Sequence, residues 1–102
     1  MWAADGEHAL DQIIDAAMAR ALHADVCRVH ALVGWVVMRD PPEYPDKVVA
    51  RLVTDAPSPY LLMSDTLAEI HAKLPLPLVR KARQPADPPE VIEIWFAAQQ
   101  VS

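Results

Sequence analysis

The sequence predicts an α+β domain: an N-terminal helical segment, then an antiparallel sheet of three to four strands with one short helix packed on it, in the order α-β-β-β-α-β. Three observations carry this reading. Residues 65–74 place apolar side chains at helical spacing between two clear end signals. Residues 35–63 contain short apolar runs of strand character separated by proline-rich turns. A further run of period two closes the chain at 91–96. The division that follows is a helical segment over 1–34, a core over 35–96 and a tail over 97–102.

The helix at 65–74 organises the remainder. Thr66 followed by Glu69 fits a capping box, with Ser64 and Asp65 as competing caps. Leu67, Ile70, His71 and Leu74 recur at i, i+3, i+4 and i+7, one buried stripe. Pro75 cannot continue the hydrogen-bond ladder and drives Leu74 toward extended geometry.

Upstream, a helical pattern begins at Glu7, with Leu10, Ile13, Ile14, Ala17, Ala21 and Leu22 on one face and acidic residues toward its start. It either continues through Val26, Val29 and Val33 to Gly34 or breaks at His23-Ala24-Asp25 into two helices. The segment is read as a cover for the second face of the sheet, as a dimerisation element, or as an appendage. The strands follow as 35–40, 47–54 and 60–63, a three-stranded meander because the connections are short. Residues 91–96 form the last strand. Residues 78–83 are a candidate fifth strand, hairpinned to it. Simple alternation groups Ile92, Ile94 and Phe96 inward with Leu52, Leu67, Ile70 and Leu74, leaving Trp95 on the opposite face.

Composition narrows the function classes. At 102 residues and 53% hydrophobic, the chain is one domain with enough apolar mass for a core. Ten prolines against two glycines indicate stiff loops and leave no glycine-rich phosphate cradle. Its longest apolar runs fall far short of a membrane span, and no secretory leader is expected. The single cysteine, Cys27, excludes an internal disulfide and fits a cytoplasmic setting. A net charge of −5 argues against general nucleic-acid binding.

Few residues suggest chemistry. His23, Cys27 and His30 share one helical face at i, i+4 and i+7, and imidazole and thiolate are ordinary zinc ligands. Three ligands on one helix make an incomplete site, so no metal is expected. His71 lacks a visible partner for general-base work. No nucleophile motif accompanies Ser64 or Thr66, so neither enzymatic activity nor a cofactor is expected. Arg80, Lys81 and Arg83 form the one basic cluster, suited to an acidic partner or to a phosphate backbone. With the large apolar surfaces of Trp35 and Trp95, these are the candidate partner-binding residues.

The run Ser64-Asp65-Thr66-Leu67-Ala68-Glu69, entered from a strand, resembles the HicB-like antitoxin domain over residues 35–74. In that family a strand runs into a helix through Gly-Asp-Thr-x-x-Glu-Ala. Asp65, Thr66 and Glu69 match, while Ser64 stands for the glycine and Ile70 for the alanine. The resemblance implies a regulatory protein that works by binding another protein. The order helix, three strands, helix is also that of the double-stranded-RNA-binding domain, but Asp65 and Glu69 stand where that module carries lysines. The expectation is therefore a small non-enzymatic protein, a homodimer or bound to another protein. The alternative is a nucleic-acid-contacting module using the basic loop 80–83.

Overall fold

A computed structural model describes residues 11–97 apart from 56, 76, 82–84, 86 and 87. Among these residues, two helices and a six-stranded mixed sheet make up an α+β fold. The elements in chain order are β1 (Gln12–Ile13), α1 (Ala16–Val29), β2 (Gly34–Arg39), β3 (Val48–Val53), β4 (Pro57–Ser64), α2 (Leu67–Lys73), β5 (Leu78–Lys81) and β6 (Val91–Ala97). Across the sheet the strands run β1-β4-β3-β2-β6-β5. Only β1 is parallel to its neighbour; every other pair is antiparallel. The sheet is thus larger than the three to four strands expected, because two short edge strands extend it on either side.

The β2–β3–β4 meander follows from sequence alternation, which sets Trp35 opposite Leu52 and Val37 opposite Ala50. Helix α2 begins as its cap chemistry requires. The Thr66 hydroxyl accepts from the Glu69 backbone N–H at 3.2 Å, and the Glu69 carboxylate accepts from the Asp65 N–H. It ends with Leu74 in extended geometry, as a following proline demands.

Three features depart from the sequence reading. First, residues 12–13 form a strand rather than helix, while residues 7–10 of the expected helix lie outside the described residues. Asp15 caps α1 by accepting from the Met18 N–H at 2.8 Å, so the helix starts at Ala16 and stops at Val29, well short of Val33. Its packed side is Ala19, Leu22, His23, Val26 and Cys27 rather than the stripe through Ala17 and Ala21, which are exposed. Second, α1 and α2 share one face of the sheet instead of covering opposite faces. Ala19 of α1 and Ile70 and Leu74 at α2 join one core with Val33, Trp35, Val37, Val48, Ala50, Leu52 and Leu62. Third, a bulge between Val37 and Met38 inserts one extra residue in β6, and alternation fails there. Ile92 and Trp95 consequently both pack on the helix-side core, while Ile94 and Phe96 turn to the rear face.

On that rear face Arg51 clamps the N-terminal strand. Its guanidinium meets the Asp11 carboxylate twice, at 2.9 and 3.0 Å, and also donates to the Ser58 carbonyl. The Tyr44 hydroxyl, on the β2–β3 connection, donates to the same carboxylate at 2.9 Å. The hydrogen bond to Asp11 raises the Arg51 pKa even against burial. Desolvation, together with Asp11, raises that of Tyr44.

Gly34 is fixed by packing. A Cβ there would lie 3.0 Å from the Trp95 carbonyl oxygen and 3.1 Å from the Phe96 ring. Gly34→Ala should therefore cost about 1–3 kcal/mol through overpacking, read as a lower urea midpoint at unchanged slope. A loss under about 0.5 kcal/mol would show that the Phe96 ring moves aside freely.

Candidate docking edge and polar cluster

One polar cluster sits where β5, β6 and α2 meet. Glu93 lies on the helix side of β6 with its side chain 9% exposed. His71, from α2, contacts its Oε1 through Nε2 at 2.7 Å, and Trp95 donates its indole N–H to the same oxygen at 2.9 Å. The His71 and Trp95 rings meet edge to face, 5.7 Å between centroids. Arg80 approaches the other carboxylate oxygen at 3.6 Å, an ion pair longer than a hydrogen bond. Burial alone would raise the Glu93 pKa, but the hydrogen bonds from His71 and Trp95 and the nearby Arg80 outweigh it and hold the carboxyl below its ordinary value.

Arg80 reaches this cluster because it stands directly across from Trp95 in the β5–β6 pair. The Ala97 N–H donates to Val33, toward β2, so the backbone groups of Phe96 point the other way, toward β5. Val79 and Lys81, opposite Phe96 and Ile94, then spend their backbone groups on β6. Leu78 and Arg80 turn theirs outward, to an edge that no described residue pairs. Side chains along this edge are mixed: Val79 is 42% exposed, Arg80 projects on the helix side, and Lys81 lies over the Phe96 ring at 5.9 Å.

Of the residues expected to bind a partner, Arg80, Lys81 and Trp95 thus come together at one end of the sheet. Arg83 lies outside the described residues. Trp35 is fully buried and donates its indole N–H to His23 Nδ1 at 3.1 Å, so its surface belongs to the core. Sequence reasoning missed the pairing of His71 with Glu93. Its one signal was a glutamate on the same face as Trp95, in a strand otherwise apolar.

Of the His23, Cys27 and His30 grouping, the first two meet and His30 faces Asp55. His23 accepts from Trp35 at Nδ1, which places the ring proton on Nε2, facing Cys27 Sγ at 3.6 Å. Neither nitrogen then presents a lone pair to a metal. His30 is the C-cap and faces Asp55. Among the described residues no group of three or more His, Cys, Asp or Glu is placed to hold a metal ion. Two open grooves lie elsewhere, flanking the Lys47–Asp65 ion pair, and neither is lined by His71 or Glu93.

Desolvation lowers the His23 pKa below its ordinary 6.5, so the fold favours the neutral ring. The unfolded chain takes up the proton first as pH falls through that value, and stability declines with it until the folded-state pKa is reached. Urea titrations should show this loss setting in below about pH 6.5, above the range where carboxylates protonate. His23→Gln, which retains an acceptor for Trp35 but does not titrate, should flatten that slope. An unchanged slope would show that His23 does not carry the effect.

No family model, no curated protein and no solved structure matches the chain. Among the described residues, no helix is long and apolar enough to cross a membrane.

Proposed function

We propose that this is a non-enzymatic cytoplasmic protein that acts by protein–protein contact, and that the outer edge of β5 is its contact surface. The observation that carries this reading is the edge itself. Leu78 and Arg80 aim backbone donors and acceptors away from the sheet, beside an exposed Val79, and such an edge is a template for another strand. An antitoxin-like regulatory role agrees with this, supported by the strand-to-helix entry at Ser64-Asp65-Thr66 and Glu69. A second copy of the chain is one candidate partner. The nucleic-acid alternative is weakened by the net charge of −5, which opposes a long polyanion as a whole.

A photo-crosslinking residue at Val79, compared in cells with one at exposed Ala24 on α1, tests the proposal. Polypeptide adducts specific to position 79 are expected. Nucleic-acid adducts, or equal labelling at both positions, would overturn it.

A further inference from the structure

We infer that the strand completing the β5 edge is an extended acidic segment of another protein, with two adjacent carboxylates followed by two apolar residues; this rests on the docking edge proposed above. The pattern follows from register. An incoming antiparallel strand reads β5 backwards, so its successive residues lie opposite Lys81, Arg80, Val79 and Leu78. Alternation sends the residue opposite Arg80 to the helix side and the residue opposite Lys81 to the rear side. Each therefore meets one cation. The next two meet exposed Val79 and half-buried Leu78.

Arg80 is equipped to receive a carboxylate. Its side chain is 61% exposed, and at 3.6 Å from Glu93 its guanidinium retains donors for a second acceptor. Lys81 is exposed on the other side of the strand. The outward N–H and C=O of Leu78 and Arg80 supply the ladder bonds, and the two cations supply the selectivity.

Charge also decides against a second copy. A two-fold β5–β5 pairing centred on Val79 or Arg80 brings the Arg80 and Lys81 of both copies onto one strand pair, where like charges oppose association. The chain as a whole is acidic, net −5, which makes this edge a local exception. An acidic strand is drawn to it and a basic one is turned away.

Fluorescence anisotropy of the full chain with labelled Ser-Glu-Glu-Val-Val-Ser and Ser-Lys-Lys-Val-Val-Ser peptides tests this. The acidic peptide should bind saturably, more weakly as salt is added, and perturb the Leu78 and Arg80 amides in NMR spectra. Arg80→Glu with Lys81→Glu should weaken it about tenfold or more and transfer preference to the basic peptide. That exchange of preference requires a folded variant and so separates lost recognition from lost structure. Equal binding of both peptides to the native chain, or none at about 1 mM, would overturn the inference. If the Leu78 and Arg80 amides become protected as the protein alone is concentrated, a copy fills the edge: the acidic partner is then wrong and the contact surface stands. If neither peptide nor copy protects them and no polypeptide crosslinks at Val79, both readings fall.

Discussion

Trp35→Ala should lower the unfolding free energy by about 3–5 kcal/mol, the range for deleting a large aromatic side chain from a packed core. Trp35 has no exposed surface and lies between Leu52 on β3 and Trp95 on β6. It also holds the one hydrogen bond given to His23 Nδ1, so its removal opens a cavity and strips a partner from a buried imidazole on α1. Trp35→Phe separates the two effects. It keeps much of the volume and loses the donor, and should cost about 1–3 kcal/mol. Urea unfolding gives both values. A loss within roughly 0.5 kcal/mol for the alanine variant, the range of surface changes, would show that α1 does not depend on this contact.

Arg51→Met should be comparably damaging, at about 3–5 kcal/mol, because breaking a buried pair from one side leaves a charge without its counterion. Asp11 keeps only 7% of its side chain exposed and Arg51 21%, so solvent screens the pair little. The partner change supplies the control. Arg51→Met combined with Asp11→Leu removes both charges and should recover most of the loss, since apolar replacements of a buried pair are often neutral. A double variant no more stable than Arg51→Met would point instead to the Ser58 carbonyl or the Tyr44 hydroxyl as the group that matters.

The sequence made the middle of the chain legible. Proline-rich punctuation and alternation set β2, β3 and β4, and Thr66, Glu69 and Pro75 marked both ends of α2. What escaped it has physical causes. Gln12–Ile13 is two residues long and borrows its place from β4, so it carries no periodicity of its own. Ile13 and Ile14 mimic one turn of an amphipathic helix, and alanines at 17, 19 and 21 fit either face. The bulge at Ile92 reverses which side Trp95 takes, and no residue in β6 announces it. The site was legible as pieces only. Arg80 and Lys81 stood out by charge, whereas His71 and Glu93 are 22 positions apart and meet only when α2 and β6 share one face of the sheet.

The most direct measurement on the central claim is residue-resolved amide hydrogen exchange of β5 in dilute protein. If the edge is open and paired on its inner side alone, the Val79 and Lys81 amides are protected while those of Leu78 and Arg80 exchange at nearly solvent rates. Protection of all four amides at low concentration would mean that the edge is already covered, and would contradict β5 as a docking strand.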